Sequence, residues 1–182
     1  MRTKVVAPIV VVTLVAALLT TFCLIGYVLE RVIGLPLRLG LPWPLRLGGV
    51  LVLIVGFGMM AWIFKWRHPG DLFVSTFVTL TKVLRRAPLE TPAGRGEPLV
   101  IVGPYRTIRH PQYAAVMLLA AGWWLALDYT FLLFLLAFLA VWFSCVVAPL
   151  EERELRALFG DQYASYARHT PRFIPFTRRR TP

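Results

Sequence analysis

The chain has 182 residues, of which 58% are hydrophobic and 16% charged, and its mean hydropathy is +0.67. These values exclude an ordinary soluble domain and predict an all-α polytopic membrane protein. The net charge of +11 fits attraction to anionic lipid headgroups better than nucleic-acid binding.

Four apolar stretches are candidates for crossing a bilayer, which requires about 20 residues. They are residues 5–29, 47–64, 112–127 and 130–148. The first is too long for the hydrophobic part of a signal peptide, so we expect a retained helix. The third is short, which indicates that it starts below the membrane surface or that the bilayer thins there.

The basic residues are divided unequally between the two sides that four spans define. Seventeen Lys and Arg residues fall in the N-terminal segment, residues 65–109 and the tail after Glu151, against three in the remaining loop. Because Lys and Arg concentrate on the cytoplasmic side, this distribution predicts four spans with both termini in the cytoplasm.

The connecting segments are predicted to lie at or outside the membrane surface. Residues 71–84 show an apolar stripe with polar side chains on the other faces, typical of an interfacial helix; a fifth span is the alternative. Residues 88–98 are predicted to form a loop, and residues 151–168 a cytoplasmic helix.

We therefore expect one membrane domain over residues 1–182. Its parts are two N-terminal transmembrane helices (1–66), an interfacial helix with a loop (67–102), and a hairpin with a C-terminal helix (103–175).

A polar site is predicted where the last two spans meet. Arg109-His110-Pro111-Gln112-Tyr113 precedes the third span, and Glu151-Glu152 follows the fourth, so a hairpin brings them together. Ionisable groups are costly in a membrane and often mark functional sites. The basic groups suit a carboxylate and the acidic pair an ammonium group, as in an amino acid or the methionine end of S-adenosylmethionine.

Simpler structural roles also fit these residues. Arg109 and His110 also fit interfacial side chains that reach the headgroups. The acidic pair also fits a cap for the last helix, where carboxylates are favoured. Since adjacent helical residues point about 100° apart, we expect one of Glu151 and Glu152 to face inward.

Several short motifs occur in a familiar order between residues 99 and 175. They are Gly103-Pro104-Tyr105-Arg106, Arg109-His110-Pro111-Gln112-Tyr113, Glu151-Glu152, Phe159-Gly160-Asp161-Gln162-Tyr163 and Pro171-Arg172-Phe173-Ile174-Pro175. This series resembles the isoprenylcysteine carboxyl methyltransferase and phospholipid methyltransferase superfamily. Those proteins are integral membrane enzymes that use S-adenosylmethionine.

The resemblance implies roles for individual residues. His110 and Tyr113 match positions that contact the cofactor, and Glu151 or Glu152 matches the carboxylate that binds its amino group. Gly103 and Tyr105 lie in a turn that helps to form the pocket.

Two further positions bear on the resemblance. Arg172 resembles the family's active-site arginine near the methyl acceptor. Ala115 departs from the pattern, because the family often has glycine there.

The activity that the resemblance implies is transfer of a methyl group from S-adenosylmethionine to a lipophilic acceptor, with S-adenosylhomocysteine as product. An isoprenylcysteine-like carboxylate, a phospholipid amine and another small lipid all remain open as acceptors. The alternatives are an NADPH-dependent membrane enzyme like the sterol reductases and a non-catalytic membrane scaffold. We expect no metal site, because the three histidines are scattered without ligand spacing.

Overall fold

The computed structural model describes residues 2–68, 70 and 99–175, and this part of the chain is helical without extended strands. Its α-helices are α1 (Arg2–Ile33), α2 (Trp43–Trp66), α3 (Pro111–Leu127), α4 (Thr130–Val141) and α5 (Ala148–His169). A 3₁₀ turn over Gly103–Arg106 precedes α3, and a π-helical segment, Trp142–Val147, joins α4 to α5.

Three of the described helices are long and apolar enough to cross a membrane. They are Val12–Ile33 in α1, all of α2, and the continuous helix Thr130–His169. The prediction of an all-helical integral membrane protein is therefore confirmed. At 17 residues, α3 is about 25 Å long, so a count of four spans stays a prediction. The interfacial helix at 71–84 and the loop at 88–98 lie outside the described residues.

The predicted fourth span (130–148) and the predicted C-terminal helix (151–168) form one continuous helix, Thr130–His169. The chain continues through Pro149 as one helix because the preceding residues, Trp142–Val147, adopt a π-helical conformation. Such local widening offers other partners for backbone groups that a proline leaves without their usual hydrogen bond. The helix bends later instead, at Gly160, whose φ of 49° suits glycine.

Helices α2 and α3 pack more extensively on each other than any other pair of described elements. Glycines allow this close approach: a Cβ atom on Gly49 would lie 2.5 Å from the backbone nitrogen of Ala126. One on Gly122 would lie 2.8 Å from the backbone nitrogen of Leu53. Small residues let membrane helices pack with their backbones in contact, so the position of α3 is set tightly by α2.

Asp128 anchors the turn between α3 and α4. Its backbone adopts a left-handed conformation with φ 61°, which ends α3 and turns the chain. The buried carboxylate accepts hydrogen bonds from the backbone N–H groups of Gly40 (2.8 Å), Leu41 (2.9 Å) and Leu39 (3.3 Å). The single acid between the last two spans therefore ties the α1–α2 loop to this turn.

We expect Asp128→Ala to lower the free energy of unfolding by about 1.5–3 kcal/mol, the range for a hydrogen bond to a charged group. The substitution removes the only side-chain acceptor shown for these amides in the described structure. Denaturant titration in detergent micelles measures the change. Asp161→Ala, at an exposed position, is the matched control, and equal stabilities of the two variants would contradict the anchoring role.

Candidate active site

Five charged side chains meet beside the N-terminus of α3, and we call them the charge cluster. They are Arg109, His110, Glu151, Glu152 and Arg172. The first two precede α3, the two acids belong to the first turns of α5, and the last follows α5. The structure thus brings together the basic and acidic motifs that the hairpin predicts to meet.

His110 lies between the two carboxylates. Its Nδ1 is 3.3 Å from Oε2 of Glu151, and its Nε2 is 3.3 Å from Oε1 of Glu152. Both acids are buried, with 5% and 4% of their surfaces exposed. The expectation that only one of Glu151 and Glu152 faces inward is wrong. Both acids contact His110, because its ring has a nitrogen on each side and each nitrogen meets one carboxylate.

Glu152 pairs with all three basic side chains of the cluster. Arg172 binds it with two hydrogen bonds, from Nε to Oε1 and from a terminal nitrogen to Oε2, each 2.8 Å long. Arg109 approaches Oε1 at 3.3 Å. Paired guanidinium–carboxylate hydrogen bonds are among the strongest in proteins, so Glu152 holds three basic side chains in place.

The backbone also joins the C-terminal segment to the start of α3. The N–H of Arg109 donates to the carbonyl of Pro171 (2.8 Å), and the N–H of His110 donates to that of Arg172 (3.1 Å). These two hydrogen bonds explain how Arg172 reaches the cluster from a segment beyond α5.

A row of aromatic rings runs through the cluster. Tyr113 donates a hydrogen bond to Oε2 of Glu151 (3.0 Å) and stacks on Phe143 with ring centres 4.6 Å apart. On the other side, His110 packs against Phe173 at 5.7 Å. Sequence reasoning missed Phe143, which lies in the π-helical segment that ends two residues before Pro149.

The turn before α3 has clear packing roles. Gly103 has φ +61°, and a Cβ atom there would lie 2.5 Å from the indole ring of Trp66, so this position needs glycine on both counts. Tyr105 is buried and donates a hydrogen bond to Oε1 of Gln112 (2.9 Å). Its carbonyl accepts one from the hydroxyl of Tyr166. The turn is therefore fixed to α2, α3 and α5.

A cavity opens between this turn, the start of α3 and α5. Its lining residues are Arg67, Leu99, Val100, Tyr105, Arg109, His110, Gln112, Glu151, Leu155, Phe159, Tyr163 and Tyr166. The predicted site residues Tyr105, His110 and Glu151 thus face one space. Ala115 is fully buried and lies outside this lining, so its methyl group does not narrow the cavity.

The carboxylates control the protonation of the cluster. Burial lowers the pKa of His110, but the hydrogen bonds and charges of Glu151 and Glu152 outweigh it and raise the pKa above 6.5. The hydrogen bond to Glu152 raises the pKa of Arg172 as well. Three basic groups and two carboxylates together suit a ligand that carries both charges.

Metal binding finds no support in the residues that the structure covers. Among 2–68, 70 and 99–175, no three His, Cys, Asp or Glu side chains are grouped as metal ligands.

The fold and the site define a helical integral membrane protein with a buried charge cluster beside a cavity. Residues 44–162 match the family model of the phospholipid methyltransferases. The chain belongs to this family, and the resemblance drawn from its motifs is confirmed. The matched range includes both acids and the motif around His110 and ends before Arg172.

One relative is protein-S-isoprenylcysteine O-methyltransferase B of Arabidopsis thaliana. It is 29% identical over an aligned length of 116 residues, and the match covers 57% of this chain and 58% of the relative. The chain thus matches little more than half of that relative's length.

The charge cluster predicts a pH-dependent stability for the ligand-free protein. The pKa of His110 is higher in the folded protein than its ordinary value of 6.5. The ion pairs of His110 therefore stabilise the fold fully when the pH is below 6.5. This stabilisation is lost as the pH rises through the folded-state pKa. We expect the melting temperature to fall over that range in the wild type and to fall less in His110→Gln.

Thermal unfolding in detergent at several pH values measures this difference. His169→Gln, which changes an exposed histidine, should keep the wild-type profile. Parallel profiles for wild type and His110→Gln would contradict the assignment.

Proposed function

We propose that this protein transfers a methyl group from S-adenosylmethionine to a lipophilic acceptor at the cytoplasmic face of the membrane. Family membership supports methyl transfer. The observation that carries the proposal for this chain is the buried carboxylate of Glu151 in the wall of a cavity beside basic side chains. The amino-acid end of the cofactor has the ammonium and carboxylate charges that such a site would complement.

Glu151 is the better candidate for the ammonium group. It lies in the cavity lining, whereas Glu152 is absent from the described lining and is paired with Arg109, His110 and Arg172. We infer that Glu151 binds the cofactor while Glu152 positions the three basic side chains. His110 would orient both acids, and Tyr113 would hold Glu151 through its hydroxyl group.

When bound, S-adenosylmethionine would supply a methyl group on a positively charged sulfur: an acceptor would attack the methyl carbon from the side opposite to the sulfur, and S-adenosylhomocysteine would leave as the carbon–sulfur bond breaks. The protein would accelerate this step mainly by holding donor and acceptor in line and excluding water. The pocket turn with Gly103 and Tyr105 would contribute by closing one wall of the cavity. A carboxylate acceptor is already ionised, whereas a protonated amine must first lose a proton.

Arg172 is proposed to face the acceptor. Its side chain is 42% exposed although it binds Glu152, so part of it remains accessible to a second molecule. A guanidinium group suits a carboxylate, which supports an acceptor like that named for the Arabidopsis relative. The family name equally supports a phospholipid. The excess of basic residues on one side supports a cytoplasmic location for this face.

We expect Glu151→Gln combined with Glu152→Gln to weaken S-adenosylmethionine binding by about 10-fold or more, as expected for a lost hydrogen bond to a charged group. The single variants should differ. Glu151→Gln should lower affinity directly, and Glu152→Gln should also reduce thermal stability because it leaves three basic side chains without their shared partner.

Titration calorimetry in detergent measures these affinities, with Asp161→Asn as an exposed control. Wild-type affinity in the double variant would contradict the ammonium site. A wild-type protein that binds NADPH but not S-adenosylmethionine would contradict the proposed activity.

Membranes that contain the protein should incorporate label from methyl-labelled S-adenosylmethionine into a lipid-soluble product. Mass spectrometry would identify a methyl ester for a carboxylate acceptor or an N-methylated headgroup for a phospholipid. Arg172→Ala should reduce this incorporation while S-adenosylhomocysteine binding remains measurable. Labelling equal to that of membranes without the protein would count against the activity.

A further inference from the structure

Phe143 joins the membrane-spanning part of the continuous helix Thr130–His169 to the charge cluster. Its half-buried ring stacks on Tyr113, with ring centres 4.6 Å apart and ring planes inclined by 17°. Tyr113 is buried, and its hydroxyl donates to Oε2 of Glu151 at 3.0 Å. Two residues of one helix, Phe143 and Glu151, thus contact the ring and the hydroxyl of the same tyrosine.

The π-helical segment Trp142–Val147 brings Phe143 and Glu151 onto one face of this helix. In an uninterrupted α-helix of 3.6 residues per turn, residues eight positions apart point about 80° away from each other. A π-helical turn contains about one residue more, and the N–H of Ala148 donates to the carbonyl of Phe143, five positions earlier. The residues from Phe143 to Glu151 therefore complete about two turns, and both side chains project in nearly the same direction.

Tyr113 and Phe143 lie behind Glu151 as seen from the cavity. Glu151 belongs to the cavity lining, whereas the other two are absent from the described lining. The long side chain of a glutamate is a defined binding group only if packing and hydrogen bonds from a supporting layer fix its conformation. Tyr113 supplies the hydrogen bond, and Phe143 supplies packing that fixes the tyrosine.

We propose that Phe143 is a positioning residue that orients the Glu151 carboxylate towards the cavity through Tyr113. The π-helical segment is the structural device that places the phenylalanine there. The inference rests on the proposed function and deepens it, because Glu151 is the residue proposed for the ammonium group of the methyl donor. Phe143 would act without touching the donor.

Direct contact with the apolar part of the lipid acceptor is the other role open to a half-buried ring in a membrane-spanning helix. The geometry favours positioning. The rings of Phe143 and Tyr113 are nearly parallel at 4.6 Å, and such aromatic pairs stabilise their arrangement beyond the area that they bury.

The test compares two ligands that differ in their amino-acid end. S-adenosylhomocysteine carries the ammonium group, and 5′-methylthioadenosine lacks the whole amino-acid end. We expect Phe143→Leu, which removes the stack but keeps an apolar side chain, to weaken S-adenosylhomocysteine binding by about 3- to 10-fold, the range for an aromatic pair. Binding of 5′-methylthioadenosine should change by less than about 2-fold. Phe143→Tyr keeps the ring and should bind both ligands like the wild type.

Phe138→Leu is the matched control. It makes the same change in the same helix, at a ring that stacks on Trp142 and contacts Phe22, and it should leave both affinities unchanged. Tyr113→Phe provides a second comparison, because it removes the hydroxyl and keeps the ring. In that background, Phe143→Leu should weaken S-adenosylhomocysteine binding by less than about 2-fold, since the connection to Glu151 is already broken.

Thermal unfolding of the ligand-free protein in detergent measures the stack itself. Phe143→Leu and Tyr113→Leu should each lower the melting temperature. The double variant should lower it by less than the sum of the two single effects, because both substitutions remove the same contact.

Three results would overturn the inference in different ways. Equal losses for both ligands in Phe143→Leu, or an undiminished loss in the Tyr113→Phe background, would contradict positioning through Tyr113. Unchanged S-adenosylhomocysteine binding with a raised KM for the lipid acceptor would assign Phe143 to the acceptor instead. A folded wild-type protein that binds neither ligand would contradict the proposed function, and the positioning role with it, even where the thermal measurements show that the stack exists.

Discussion

The burial of Glu151 and Glu152 is the constraint on which the rest of the site depends. Removing a carboxylate from water costs several kcal/mol unless a partner compensates it, and here two neighbouring acids are buried together. Their partners come from separate parts of the chain: His110 from the start of α3, Tyr113 from its first turn, and Arg172 from the segment after α5. The acids therefore organise the local fold as well as its charge.

The cluster also depends on contacts far from it. The glycine-mediated packing on α2 and the hydrogen bonds of Asp128 fix the C-terminal part of α3, and the backbone hydrogen bonds of Arg109 and His110 fix its start. A helix held at both ends presents His110 at a defined depth relative to α5. Buried ion pairs are favourable only when their geometry is good. The fixed position of α3 therefore supports the pairing of both acids with one imidazole.

The sequence predicted the features that follow from local patterns. The length of the apolar stretches located the helices, and the predicted hairpin correctly brought His110 close to the acidic pair. The sequence did not predict that both acids face inward. Adjacent side chains on a helix point in different directions, and this periodicity gives no sign of an imidazole between them. The contact of Arg172 with Glu152 joins residues that are 20 positions apart in the chain. The π-helical segment with Phe143 is a local departure from the usual helical hydrogen-bond pattern. Neither has a reliable local signature.

Two adjacent and chemically identical residues consequently occupy different electrostatic positions. Glu152 is paired with three basic side chains, whereas Glu151 contacts His110 and Tyr113 and lies on the cavity wall. Under the proposed function, an ammonium group bound at Glu151 would bring positive charge beside the His110 imidazole. Like charges disfavour each other's charged forms, so ligand binding would lower the pKa of His110. Cofactor affinity and the proton on His110 would then be thermodynamically linked through one carboxylate.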